Sequence, residues 1–267
     1  MITFPNAKIN IGLNVVSRRD DGYHNLETVF YPVQLADILE MVPAERTELS
    51  NSGIAIDGNK EDNLIVKAYF LLKRDFLISP VKFHIHKIIP FGAGLGGGSA
   101  DAAFALKMLN EYFNLQLSEN QLENYASKLG ADCPFFIHNK PVFATGIGNQ
   151  FSPIQLDLSA YKIVIVKPEI AVNTAEAFRN IVPKQAEFSL IDLLKKPIED
   201  WKELVTNDFE TPVFKKYPQI KALKELLYDL GALYSSMSGS GSAVYGIFRH
   251  LPTNFDNNLP KGIFIYR

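Results

Sequence analysis

The chain has 267 residues, 47% of them hydrophobic and 21% charged, with 27 basic and 29 acidic side chains and a net charge of −2. That is ordinary globular composition, enough for one large core or two modest ones. It has no basic field able to hold a polyanionic duplex by counterion release, which excludes nucleic acid as the expected partner. The single cysteine, Cys133, rules out an internal disulfide and any multi-cysteine zinc or iron–sulfur site. The opening MITFPNAKIN lacks the basic and then apolar runs of a secretory signal, and no apolar stretch reaches membrane-spanning length. The expectation is a soluble, cytoplasmic protein with no membrane partner, its oligomeric state left open.

Alternation of apolar and polar residues predicts strands over residues 7–15, 26–33 and 37–42, with a short strand pair around Asn51-Ser52-Gly53. A helix follows from Asp62 to Phe76, then a strand from Val81 to Ile89 that runs through Pro90 into GAGLGGGS. Ser99 opens a helix in which Ala102, Ala103, Leu106, Leu109 and Asn110 share one face. Ser118 and Gln121 form a capping-box pattern for the next helix, with Gly130 placed to end it in a left-handed conformation. Further strands are expected over residues 142–148 and 161–167, four amphipathic helical stretches between Thr174 and Leu230, then Ala232 to Phe248 around SGSGS and a last strand near Ile263. Strands and helices without a regular βαβ rhythm place the chain in the α+β class.

Gly92, Gly94 and Gly97 make a literal G-x-G-x-x-G, but the short strand and acidic residue of a dinucleotide fold do not follow, since Glu111 lies within a helix. No Gly-Lys-Ser/Thr closes the loop, and no His-Arg-Asp or Asp-Phe-Gly motif is present. What remains is a backbone cradle. The glycines at 92, 94, 96, 97 and 98 let N–H groups approach an oligophosphate where a helix N-terminus adds positive potential, and Ser99 adds a hydroxyl. Elsewhere, pattern alone reads Lys8, Asn10, Gly12 and Asn14 as an exposed strand face, Asp132 as a turn residue, Tyr23 and His24 as loop surface, and Asn63 as a helix cap. His84 and His86 alternate on a strand with no third ligand evident, which argues against a metal site. Ser238 to Ser242 reads as a glycine-rich hairpin turn rich in N–H and O–H donors.

Three separated segments carry a resemblance. PFGAGLGGGSADAA resembles the central phosphate-binding motif of the GHMP kinases, AKINIGLNV resembles their first motif and MSGSGSAVYGIF their third. Together they span nearly the whole chain. Within that superfamily, AKINIGLNVVSRRDDGYHNLETVF, DNLIVKA and GADCPFF resemble the 4-diphosphocytidyl-2-C-methyl-D-erythritol kinases. The resemblance implies a two-lobed fold, with an N-terminal lobe like ribosomal protein S5 over residues 1–155 and an α+β GHMP lobe over 156–267. It also implies ATP and magnesium, with transfer to the 2-hydroxyl of a small cytidine-diphosphate-linked polyol. It assigns Lys8 and Asp132 to catalysis, and Pro90, Gly92, Ala93, Gly94, Leu95, Gly96, Gly97, Gly98, Ser99, Ala100, Asn63 and Leu64 to the nucleotide. Asn10, Tyr23, His24, Thr174, Phe178, Ser238 and Gly239 go to the substrate, with His24 on the cytosine edge and Phe178, helped by Tyr23, on its face. Ala100 departs from the family, which often carries a second serine there. Another GHMP acceptor, such as homoserine or a mevalonate-type alcohol, and noncatalytic nucleotide binding remain as alternatives.

Overall fold

The computed structural model describes residues 1–56, 58–179 and 181–267. In chain order the elements are β1 (Ile2–Thr3), β2 (Asn6–Arg18), β3 (His24–Ala36), β4 (Ile38–Pro43), β5 (Glu48–Gly53), α1 (Leu64–Lys73), β6 (Val81–Lys87), α2 (Gly97–Tyr112), α3 (Glu119–Ala126) and α4 (Phe135–His138). There follow β7 (Val142–Thr145), β8 (Gln150–Pro153), β9 (Lys162–Lys167), α5 (Thr174–Arg179), α6 (Leu190–Leu193), α7 (Trp201–Leu204), α8 (Glu210–Lys216), α9 (Pro218–Asp229), β10 (Tyr234–Met237), β11 (Val244–Phe248) and β12 (Phe264–Tyr266). They form two compact units, one of residues 1–8, 32–91 and 96–140, the other of 9–31, 92–95 and 141–267.

The first unit holds a sheet in the order β1-β4-β6-β5. β6 shows why it forms: in VKFHIHK the residues Val81, Phe83, Ile85 and Lys87 are buried, while Lys82 is exposed and His84 and His86 are half-buried, the two-residue period of a strand with one covered face. Residues 48–53, expected as a strand pair, are one strand running parallel to β6. Gly53, at φ +75°, ends it with its Cα hard against the Lys87 carbonyl, where no side chain fits. α1 is capped by Asn63, whose side chain accepts the Ile65 N–H. α2 begins two residues earlier than Ser99, from Gly96 in a left-handed conformation, and packs its buried Ala102, Leu106 and Leu109 face against α1 and α4. The Ser118–Gln121 capping box is present at α3. That helix, however, ends at Ala126 with Ser127 right-handed. Gly130 is not left-handed; its lack of a side chain instead leaves room for Cys133, whose Sγ would stand 3.3 Å from an added Cβ.

The second unit holds a sheet in the order β10-β11-β9-β12, all pairs antiparallel. Its core joins Val164, Val166, Val244 and Phe248 to Phe209, Val213, Ile220, Leu223 and Leu227 of the helical segment before it. Five α-helices, not four, are assigned between residues 174 and 229 among the described residues, because the 190–204 stretch breaks at Pro197 into two one-turn helices. The β2-β3-β7-β8 sheet brings residues 9–31 to the hairpin of β7 and β8.

Candidate active site

In the first unit the root of the glycine loop is fixed by a buried ionic group. Asp37 Oδ1 accepts the backbone N–H groups of Ile88 at 2.5 Å and Ile89 at 2.8 Å, where β6 turns into the loop. The Lys87 ammonium lies between Asp37 and Asp101, 2.8 Å from Asp101 Oδ2, and all three side chains are almost wholly buried. A Cβ on Gly97 would stand 3.0 Å from Lys87 Nζ and 2.8 Å from Ile89 Cγ2, so glycine is what lets α2 start over this group. Burial pushes the Asp101 carboxyl up to about 7, with Lys87 opposing and the Asp37 charge adding to the rise. Its second oxygen is buried without a hydrogen-bond partner among the described residues. Sequence reasoning missed this triad, although Lys87 falls in the inward phase of β6, a position where a charge needs a partner.

Lys8, expected by pattern to be solvated, is buried, and its Nζ stands 3.5 Å from Asp132 Oδ2; the Asp132 side chain keeps 34% of its surface exposed. Gly96, at φ +71°, is packed against Phe136 and the Lys8 stem: an added Cβ would meet the Phe136 ring at 2.9 Å and Lys8 Cγ at 3.2 Å. Ser99, in the first turn of α2, hydrogen-bonds Cys133; burial pushes that thiol up to about 12, with Ser99 opposing and Asp132 adding to the rise. Among the described residues nothing lies within reach of a Cβ added at Gly98, and Pro90 is half-buried at the loop entrance. Ala100 is fully buried and its N–H donates to the Gly96 carbonyl at 2.9 Å, so its amide is committed to the first turn of α2. Asn63 Oδ1 is spent on capping α1 at 2.9 Å, with Leu64 half-buried beside it. His84 and His86 bond the hydroxyls of Ser50 and Ser52 at 2.9 Å.

In the second unit, residues 92–95 are stapled to the turn between β10 and β11. Ser242 and Ala243 donate their N–H groups to the Gly92 and Ala93 carbonyls at 3.2 Å, and Ser238 Oγ donates to Gly94 O at 2.8 Å. Gly94, at φ +73°, lies so close to the Ser238 carbonyl that a Cβ would collide with it. Ala93 and Leu95 are buried. The N–H of buried Asn10 donates to Ser238 Oγ at 3.2 Å, its Nδ2 donates to Thr28 Oγ1 at 3.0 Å, and its carbonyl accepts the Tyr245 hydroxyl at 2.8 Å. His24 and Phe178 are brought face to face, ring centroids 5.0 Å apart and 16° from parallel. A base can enter between them only if the rings part. Phe178 also packs edge-on against Phe209 at 4.7 Å, so it is both core and candidate platform. Tyr23 is exposed. Burial and the nearby Arg18 charge push the His24 imidazole down, which keeps it neutral at pH 7. Thr174 and Ser240 share a hydroxyl–hydroxyl bond of 2.9 Å. Asn207 and Glu210, which hold the turn at residues 237–239, were not found from the sequence.

Among the described residues no helix is long and apolar enough to cross a membrane. The GHMP kinases N terminal domain matches residues 63–140 and the GHMP kinases C terminal domain residues 189–255. The 4-diphosphocytidyl-2-C-methyl-D-erythritol kinase of Bacteroides thetaiotaomicron is 54% identical, covering 100% of this chain and 99% of its own. That of Cytophaga hutchinsonii is 50% identical over 97% and 96%. A crystal structure of 4-(cytidine 5'-diphospho)-2C-methyl-D-erythritol kinase superimposes with a TM-score of 0.79 at 33% identity, covering 92% of this chain and 90% of that one. Methanococcus jannaschii mevalonate kinase, with a TM-score of 0.73 at 16% identity over 100% and 96% of the two chains, shares the fold. With the glycine loop, its buried root and the Lys8–Asp132 pair in place, these matches show that the chain belongs to the GHMP kinases and, within them, to the 4-diphosphocytidyl-2-C-methyl-D-erythritol kinase family.

Proposed function

We propose that the chain transfers the γ-phosphoryl group of ATP to the 2-hydroxyl of 4-diphosphocytidyl-2-C-methyl-D-erythritol, with Lys8 and Asp132 acting on that hydroxyl. The observation that carries the reading is the Lys8–Asp132 pair itself, a buried ammonium 3.5 Å from a part-exposed carboxylate, with the lysine stem packed against Gly96 of the phosphate loop. Asp132 accepts the hydroxyl proton as the oxygen bonds to γ-phosphorus and ADP leaves. Lys8 stabilises the charge developing on the attacking oxygen. The transition state is loose, so most of the acceleration comes from placing and neutralising the phosphates. The glycines from Gly92 to Gly98 supply backbone N–H groups for this, with Ser99 and the start of α2 adding a hydroxyl and positive potential. Asn63 and Leu64 border the adenine. His24 reads the cytosine edge and Phe178 its face, with Tyr23 beside them, while Asn10, Thr174, Ser238 and Gly239 hold the rest of the substrate.

Magnesium accompanies ATP in this reading. It would be held mostly by the phosphates and water, with the Ser99 hydroxyl as a hard oxygen donor, and when bound would supply neutralisation of the phosphate charge. The family domains meet near residue 155, between the two matched spans, and the protein works in the cytoplasm on small molecules.

The test is ADP release with ATP and magnesium, comparing the cytidyl substrate with homoserine, mevalonate and galactose. Turnover is expected on the cytidyl compound alone. Asp132→Asn should lower kcat about 10²–10⁴-fold with little change in the KM for ATP; near-normal turnover would remove Asp132 from the mechanism.

A further inference from the structure

The turn between β10 and β11 is gripped from behind by the residues that lead into α8. Asn207 is 4% exposed. Its Nδ2 donates to the carbonyls of Met237 at 2.8 Å and Gly239 at 2.9 Å, and its Oδ1 accepts the Phe209 N–H at 3.0 Å, so both amide N–H groups and the amide oxygen are used. Glu210 completes the grip: Oε1 accepts the Met237 N–H at 2.9 Å and the Ser236 hydroxyl at 3.1 Å, and Oε2 takes the Lys224 ammonium at 2.6 Å. The gripping segment is itself tied to β2, with Leu13 N–H on Thr206 O at 2.8 Å, Asp208 N–H on Leu13 O at 2.9 Å and Val15 N–H on Asp208 Oδ2 at 2.7 Å.

Peptide planarity gives this grip a consequence. The Gly239–Ser240 bond is trans, so its C=O and N–H point in opposite directions. Drawing the Gly239 carbonyl onto Asn207 therefore turns the Ser240 N–H to the far side. The Ser238 carbonyl likewise accepts the Gly241 N–H at 2.9 Å, which turns the Gly239 N–H away from it. The other amides of the turn are spent: Ser238 on Ala243 O at 2.9 Å, Ser242 on Gly92 O and Ala243 on Ala93 O, both at 3.2 Å. Gly239 and Ser240 alone in the turn present consecutive N–H groups that no acceptor among the described residues takes up. Gly239 stands at φ +54°, a conformation in which successive amides converge into a concave anion cradle.

We propose that Asn207 is the positioning residue of the substrate's diphosphate site: it holds the Met237 and Gly239 carbonyls and thereby aims the amides of Gly239 and Ser240 at the diphosphate of the cytidyl substrate. This rests on the reading above that the turn and His24, Thr174 and Phe178 hold that substrate. The diphosphate is the cytidyl substrate's rather than ATP's because the Thr174–Ser240 bond ties the turn to α5, the helix that carries Phe178 to His24.

The experiment follows the Gly239 and Ser240 amide resonances of ¹⁵N-labelled full-length protein on addition of cytidine, cytidine diphosphate or a non-hydrolysable ATP analogue. In the wild type, cytidine diphosphate is expected to move both and cytidine neither. Asn207→Asp keeps the shape but sets a carboxylate oxygen against two carbonyls. It should shrink those shifts and raise the KM for the cytidyl substrate roughly tenfold or more, as expected for a charge-assisted hydrogen bond lost, with the KM for ATP unchanged within about twofold. Asn207→Ala removes the donors without the repulsion and serves the same test if the aspartate variant does not fold. Wild-type amides unmoved by cytidine diphosphate would overturn the substrate-binding role of the turn and this proposal together. Shifts of wild-type size in the variants would leave the turn's role standing and overturn that of Asn207. Amides moved only by the ATP analogue would overturn the assignment to the cytidyl substrate.

Discussion

His24 shows what a single side chain can decide. Kept neutral by burial and by Arg18, its imidazole offers one donor and one acceptor, the pattern a cytosine edge requires; the imidazolium would offer two donors. Because the shift is downward, the neutral form persists to lower pH than for an ordinary histidine, and binding should fail only once the ring protonates. The KM for the cytidyl substrate is therefore expected to stay flat from pH 8 to below about 6.5 and then rise, with the ATP KM level throughout. In His24→Asn that rise should be absent and the KM high at every pH, whereas a wild-type profile in the histidine variant would take His24 off the base. The residue-level picture was only partly legible beforehand. The alternation in AKINIGLNV put Lys8 and Asn10 correctly on one face of a strand, yet a two-residue period cannot tell a solvated polar face from a covered one. Both residues are buried, because other segments of the chain supply partners that no local pattern encodes.

Among the elements, the glycine loop was the most legible, since so many glycines in succession carry a conformational-entropy cost that only close approach repays. Its individual reasons were not. Gly94 is needed for its positive φ and for the Ser238 carbonyl beside it, Gly97 for the Lys87 ammonium and Ile89 under α2, contacts made with distant stretches of sequence. Gly94→Ala would meet both strain and collision, so kcat/KM is expected to fall at least about 100-fold while far-ultraviolet circular dichroism stays that of the wild type. An alanine variant of full activity would mean the 92–95 backbone tolerates a shift of the Ser238 carbonyl. The helix caps at Asn63 and Ser118 were readable because capping is local chemistry. The parallel pairing of β5 with β6 was not: Asn-Ser-Gly favours a turn, and only the partner strand 34 residues on, as in the Ser50–His84 pairing, makes the segment a strand.

At the scale of the whole molecule, the Asp37–Lys87–Asp101 group ties stability to pH. An unfolded aspartate titrates near 4, whereas burial holds Asp101 at about 7 in the native state. Between those values the folded protein binds more protons, so this group's contribution to stability falls as pH rises from about 4 to about 7, and the penalty is complete above. Asp101→Asn supplies permanently what the proton supplies, and urea unfolding should find the variant more stable than wild type at pH 8 and less dependent on pH. Equal pH slopes in the two proteins would place the buried proton elsewhere. Fold class and family were legible from three motifs spread along the chain; the division into contact units was not, because residues 9–31 and 92–95 belong with the C-terminal half. That division bears on synthesis. Every residue of the first unit lies before 141, but β2 contributes Ile9, Ile11, Leu13 and Val15, each at most 3% exposed, to a unit in which its partners include Thr206, Ser238 and Tyr245, about 190 residues or more further along the chain. Its sheet neighbour β3 follows at once, but the partners at 206, 238 and 245 come much later, so a chain halted before residue 237 would leave β2 only partly covered and open to chaperones or to other nascent copies.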